Sequence, residues 1–370
     1  YSFNQTNHSS ETQMNHSSKL HMNHSSKPYL PQLDAIKAMA IIMIAAFHFF
    51  GELAGWHIKI VDSTWLYQYW QNINIVGIAK FFESYLYLGV NLFVIASGFG
   101  LYLSYSHSQK RFDIKQYFKK RIFRLMPAAL LSILFVFLLK GFFLDHWTLE
   151  NWHINLFPFL FGLNLFSDQW FYPPINGETW FLGLIIQLYL LFPLLCILLK
   201  KIGIRKFLWI MFAVTVIFRI FYYLVLKNYV GVMGYGFSLG RIFEFSFGMA
   251  VAKTVMEKSR PSSLWILGLG LLPGYFYGLT FPFTDALIGV ALFTLIWKLT
   301  LKNRFHALFK GIADMSYMIF LIHHPIIWIL QKHGLDNPWS ISGLALFIVF
   351  FTATYFLAKM LNFMLISKSK

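Results

Sequence analysis

The sequence predicts an all-α integral membrane protein that crosses the bilayer about ten times, with both termini on the cytoplasmic side. Three observations carry this. Of the 370 residues 57% are apolar, only 12% are charged, and the mean hydropathy is +0.57, whereas a water-soluble domain of this size has nowhere to hide so much hydrocarbon. The apolar residues are gathered into runs long enough to cross a hydrocarbon core of about 30 Å as helices. The basic residues collect in alternate gaps between those runs, as they do on a cytoplasm-facing surface.

The runs fall at 36–52, 82–104, 125–144, 179–199, 207–226, 237–256, 263–281, 283–299, 312–331 and 339–362. The first carries Lys37 and His48 in LDAIKAMAIIMIAAFHFF. Their spacing is close to three whole turns, so both lie on one face, about 16 Å apart along the axis. An ionisable pair inside a span is expensive and marks a site; Asp34, one turn earlier, is a ready ion-pair partner for Lys37. The second run holds Asn91 and Ser97 between Gly89 and Gly98, small residues that suit close helix packing. Before the third run, Arg121 and Arg124 share a face and are followed by Pro127, so two planar forked donors stand at a helix mouth.

The fourth and fifth runs are separated by Lys200, Lys201, Arg205 and Lys206, with Glu178 and Trp180 at the outer mouth of the fourth. A carboxylate and an amphipathic ring there suit a sugar or an interfacial anchor. Arg219, in the fifth, has no local partner and is expected to face a cavity. Arg241 and Glu244, three apart in the sixth, are expected to neutralise each other. The ninth carries His323, while His324 next to it is expected to point elsewhere. The apolar segment 154–166 is too short to cross and is expected at the outer surface.

The net charge of +16 raises nucleic acid as a partner, but its distribution excludes it. Lys110, Arg111, Lys115, Lys119, Lys120, Arg121 and Arg124 share one inner loop, and later inner loops are also basic, while Lys59, Lys80, Lys140, Lys227 and Lys332 are spread thinly outside. Residues 1–30 are a polar tract in which Asn-His-Ser-Ser recurs from Asn7, Asn15 and Asn23, expected to be a disordered cytoplasmic tail. Nothing fixes the geometry of its histidines, so no metal site is expected there. No signal peptide is expected before Pro31, because no apolar stretch with a small-residue cleavage site lies there. Cys196 is the single cysteine, which leaves no disulfide and no thiolate-held metal.

Four stretches together, LDAIKAMAIIMIAAFH, GVNLFVIASGF, KKRIFRLMP and SYMIFLIHHP, resemble the membrane-bound acyltransferase-3 family, with WFLGLIIQLYLLFP and RIFEFSFGMAVA in further support. The resemblance covers most of the chain and implies an acyltransferase-like transmembrane domain over 31–370. It implies a multi-pass protein of the bacterial inner membrane that O-acylates carbohydrate. The residues it points to are the Lys37–His48 pair, the arginines before Pro127, and His323. The sequence departs from the family pattern at Asn91, where Asp is common, at Phe320, where Tyr is common, and at Ile185 and Ile186, where a glutamate is frequent. No hydrolase-like domain is expected after the last span.

Acyl transfer from a thioester to a hydroxyl needs a base for the hydroxyl proton and donors for the developing oxyanion. His48 suits the first task, with His323 assisting. Lys37, Arg121 and Arg124 suit the phosphates of acetyl-CoA as the acyl donor, and Glu178, Trp180 and Ser97 are candidates to bind a glycan or lipid-linked glycan acceptor. No metal is called for. The expected activity is therefore transfer of an acetyl group to a sugar of a surface polysaccharide or lipopolysaccharide O-antigen. The rival is a polysaccharide or solute exporter, for which an internal repeat with interrupted helices would be the signature; the halves show none. A non-catalytic membrane partner for a synthase leaves Lys37 and His48 unexplained.

The charge asymmetry makes a topological prediction. In intact cells, a cysteine at Ser106 is expected to resist an impermeant thiol reagent and one at Asp145 to react; the reverse pattern would overturn the orientation.

Overall fold

The computed structural model describes residues 30–54, 85–107, 113–144, 176–226, 236–257, 277–299, 306–334 and 338–367. The Asn-His-Ser-Ser tail, segment 154–166 and most of the expected span 263–281 lie outside them. The described residues are helical, with no strand among them. In chain order the helices are α1 (Pro31–Leu53), α2 (Gly89–Ser106), α3 (Ile114–Leu144), α4 (Trp180–Leu224), α5 (Ile242–Met256), α6 (Tyr277–Leu299), α7 (His306–Lys332) and α8 (Ile341–Ser367). Tight 3-10 turns at Leu86–Leu88, Gly177–Thr179 and Ser238–Arg241 lead into α2, α4 and α5. Among the described residues, six stretches are long and apolar enough to cross a membrane.

The expected fourth and fifth spans form one continuous element, α4, broken at Gly203, whose φ of 75° and ψ of 165° are outside the helical region. Glycine carries no Cβ penalty there. The two arms return to the same neighbour. Phe192 meets Phe245 at 6.4 Å and Phe212 meets Phe243 at 5.1 Å, although in a straight helix Phe192 and Phe212 would stand about 30 Å apart. The chain therefore doubles back at Gly203, between the basic residues that the sequence places in a loop.

α1, α2, α5 and α7 form the centre, and α3 and α8 lie at the rim. Leu134, Leu138 and Phe142 of α3, and Ile348, Val349 and Phe363 of α8, are exposed, which suits a hydrocarbon solvent. The closest approach is between α2 and α5. A Cβ on Gly98 would meet the Phe245 carbonyl, and one on Gly248 would meet the Ile95 carbonyl. These two glycines let the backbones touch and pack Ile95, Phe99, Phe245 and Phe247 into the core without exposure.

One buried ionic cluster ties four helices together. Arg241 Nη1 donates to Asn91 Oδ1 at 2.7 Å, Asp285 Oδ2 at 3.0 Å and Glu244 Oε1 at 3.2 Å. Arg219 Nη2 donates to Glu244 Oε1 at 2.7 Å, and its Nη1 lies 3.4 Å from Asp285 Oδ2. The Arg241–Glu244 pair is present as the sequence suggests. Arg219 corrects the expectation of a cation facing a cavity: its counter-ions come from α5 and α6, a tertiary arrangement that local spacing cannot show. Two cations meet two anions, so the cluster is neutral where burial of a net charge is costly. Asn91, the departure from Asp, fits because its amide also donates to the Asp285 carbonyl at 3.0 Å, which a carboxylate could not do.

The α2–α5 contact yields a stability prediction. Gly248→Ala is expected to destabilise by about 1–3 kcal/mol through overpacking, seen as a lower unfolding temperature in detergent. Gly100→Ala, whose added Cβ meets nothing within 4 Å, is expected to be neutral or slightly stabilising.

Candidate active site

Two polar regions lie on different thirds of α1. At the Lys37 end is a cavity of about 760 Å³, lined by Lys37 of α1, Ser97 of α2, Arg121 and Arg124 of α3, Tyr189 of α4 and Asp314 of α7. The expected donor set is therefore brought together by two helices, α1 and α3. Lys37 keeps Asp34 within 4.0 Å. The Arg121 guanidinium lies 5.8 Å and 5.9 Å from the ring centres of Tyr117 and Tyr189, and its buried Nε has no hydrogen-bond acceptor among the described residues. A planar cation held by aromatic faces with donors to spare suits an anionic oxygen ligand. Ser97 belongs to this cavity, its Oγ 3.3 Å from the Tyr189 hydroxyl, and so does not share a site with Glu178.

At the other end of α1, His48 and Glu52 stand one turn apart and face α7. His48 has its ring centre 5.1 Å from His323 and 4.5 Å from His324, and its Nε2 is 4.0 Å from Glu178 Oε1. His324 is at the centre of this cluster rather than pointing away. Its Nδ1 is 2.6 Å from Glu178 Oε1 and its Nε2 2.8 Å from Glu52 Oε1. Successive residues differ by about 100° around a helix; here the groove into which α7 packs is walled by α1 on one side and the turn before α4 on the other, so both rings reach it. Ionised carboxylates only accept, so in this arrangement both His324 nitrogens donate and the ring is a cation between two anions. Gln331 Nε2 completes the far side, donating to the Glu52 carbonyl at 2.9 Å and to its Oε2 at 3.3 Å.

His323 is set differently. Its Nδ1 faces the backbone carbonyls of Phe320 at 2.8 Å and Ile319 at 3.2 Å. Carbonyls only accept, so Nδ1 carries the proton and Nε2 presents a lone pair, buried without a hydrogen-bond partner among the described residues. The His48 side chain is 20% exposed and His323 is 0% exposed, so of the two His48 is the one an acceptor can reach. Ligand atoms of His48, Glu178 and His323 lie within 4.8 Å of one another, as do those of His48, Glu52 and His324. In both sets the carboxylate shares the single His324 cation with the other one, so His324 bridges the two groups while its nitrogens are engaged as donors.

A proline in α7 fixes the place of Glu178. Pro325 has no N–H, so the Leu321 carbonyl one turn earlier loses its helical donor. Asn176 Nδ2 donates to that carbonyl at 2.9 Å, while Asn176 Oδ1 accepts from Glu178 N at 3.1 Å and caps the turn Gly177–Thr179. One amide therefore pins the carboxylate-bearing turn to α7. Trp180, two residues on, lies edge to face with Phe181 at 5.9 Å. Sequence reasoning missed Asn176, Glu52, His324 and Gln331. The signals were available: an Asn before Gly-Glu-Thr, a carboxylate four residues after His48, and a freed carbonyl four residues before a helical proline.

This gives a double-mutant test. Asn176→Ala is expected to destabilise the protein, and Pro325→Ala, which restores a donor for Leu321, is expected to lessen that cost by about 0.5–1.5 kcal/mol. Strict additivity in thermal or denaturant unfolding would show that the two residues do not share the carbonyl.

Comparison with known proteins agrees with the geometry. No curated protein and no solved structure matches the chain. Residues 30–359 match the family described as an acyltransferase domain, which takes in every described helix through most of α8. A match over so much of the chain, on a helical scaffold with several membrane-length helices, makes this a multi-pass membrane protein that belongs to the acyltransferase-3 family.

Proposed function

We propose that the protein is an O-acetyltransferase of the bacterial inner membrane, crossing it about ten times, which moves an acetyl group from cytoplasmic acetyl-CoA to a hydroxyl of a surface polysaccharide or O-antigen sugar. The observation that carries this is the division of α1: the cationic cavity of Lys37, Arg121 and Arg124 near one end, and His48 with Glu178 and His323 near the other. The basic loops make the Lys37 end cytoplasmic. Arg121 and Arg124 then hold phosphates at the helix mouth, Lys37 stands one layer deeper, and the pantetheine arm runs the remaining distance of about 16 Å toward His48.

In the reaction the acceptor hydroxyl gives its proton to His48 as its oxygen bonds to the thioester carbonyl carbon. The carbon–sulfur bond then breaks, the acyl group stays on the acceptor oxygen, and the sulfur takes the proton back from the His48 imidazolium and leaves as a thiol. Glu178, 4.0 Å from His48 Nε2, stabilises the imidazolium formed in between. His324 holds Glu178 and is itself held by Glu52, which Gln331 anchors in turn. His323 packs against His48 and fixes the orientation of its ring.

The test separates donor from base. Protein in lipid nanodiscs is titrated with coenzyme A, and surface glycans from cells carrying each variant are weighed for acetyl groups. Replacing Arg121 and Arg124 together by Gln is expected to weaken coenzyme A binding at least about tenfold, through loss of charge-assisted contacts. His48→Gln is expected to leave that binding intact and to lower transfer by about 10²- to 10⁴-fold. Glycans with the same acetyl content with and without the wild-type protein would overturn the proposal.

A further inference from the structure

The cavity and the histidines are separated by aromatic rings. Phe93 of α2, Phe181 of α4 and Phe320 of α7 all line the inner wall of the cavity. Their ring centres are mutually close: 5.0 Å between Phe181 and Phe320, 6.2 Å between Phe93 and Phe181, and 6.4 Å between Phe93 and Phe320. Phe320 faces the cavity on one side and lies 5.9 Å from the His323 ring on the other. The inner face of α1 offers no opening among the described residues, because Ile41, Ile44 and Ala45, between Lys37 and His48, are buried to 1% or less. Among the described residues, the direct line from a thioester held at Arg121 and Arg124 to His48 therefore passes through the cluster of three rings.

We propose that Phe93, Phe181 and Phe320 form an aperture through which the acyl end of the donor is threaded, and that its width restricts the donor to short acyl groups. This rests on the donor site proposed above and adds the substrate class. Three rings from three helices leave a narrow passage whose width changes with ring rotation rather than with backbone movement. An acetyl group needs only a small opening. A longer chain must hold the rings apart along its length, and it loses the ring-to-ring contacts that close the passage. The same rings exclude water from the thioester side of the histidines, which protects the donor from hydrolysis.

The experiment uses thioether analogues of acetyl-CoA and octanoyl-CoA, which bind but cannot transfer, with the full chain in nanodiscs and calorimetry as the readout. The wild type is expected to bind the short analogue more tightly than the long one. Phe93→Ala is expected to shift the ratio of long to short affinity by about tenfold or more toward the long chain, the scale on which apolar pockets discriminate by size, each affinity being taken relative to that of the same variant for coenzyme A. Phe93→Leu, which keeps an apolar side chain in place, is expected to shift the ratio in the same direction by less. A ratio equal to that of the wild type in both variants, with coenzyme A binding retained, overturns the aperture and leaves the donor site standing. Failure of the wild type to bind coenzyme A at all overturns the donor site, and the aperture with it.

Discussion

A helix bundle without water must satisfy its own polar groups, and most of the architecture follows from how this chain does so. Each unpaired group in hydrocarbon costs several kcal/mol. Pro193 frees the Tyr189 carbonyl in α4, and the Tyr117 hydroxyl of α3 donates to it at 3.0 Å. Pro325 frees the Leu321 carbonyl in α7, and Asn176 donates to it. At both points the defect in one helix becomes the attachment point for another element. The first joins α3 to α4 beside Arg121. The second places Glu178 beside His48.

The charged residues obey the same constraint in two different ways. The cluster of Arg219, Arg241, Glu244 and Asp285 is buried and pairs two guanidiniums with two carboxylates, so it fastens α4, α5 and α6 together with Asn91 of α2. The cluster around His48 is made of imidazoles and carboxylates, groups that can pass a proton, and part of it is accessible. Guanidinium pairing supports the scaffold, whereas imidazole pairing suits proton transfer. Close contact at Gly98 and Gly248 holds α2 against α5 and so keeps the guanidinium cluster in register.

α1 links the two functional regions. Its Lys37 end borders the cationic cavity and its His48 end borders the histidine cluster, and between them the inner face, at Ile41, Ile44 and Ala45, is packed against the bundle. Under the function proposed above, the division keeps a highly anionic donor at the membrane surface while only its uncharged arm and acyl group enter the bundle. Burying the phosphates themselves would carry a desolvation cost that no pair of arginines offsets at that depth.

Composition and pattern alone determined the helical membrane class, because apolar runs of crossing length have no other stable form in lipid. They also determined the residues worth examining, because an ionisable side chain in such a run stands out. Lys37 with His48, the Arg121–Arg124 pair, His323 and Glu178 were all legible this way, and so was the Arg241–Glu244 pair, whose partners lie within one turn. The tertiary structure alone decided which of them meet. Arg219 looked isolated because its counter-ions lie on α5 and α6. His324 looked misdirected because helical angles do not reveal that two walls converge on one groove. Ser97 and Glu178, grouped by residue type, fall into separate regions. Helical spacing sets which face of a helix a side chain occupies, whereas the opposing element comes from packing that spans the whole chain.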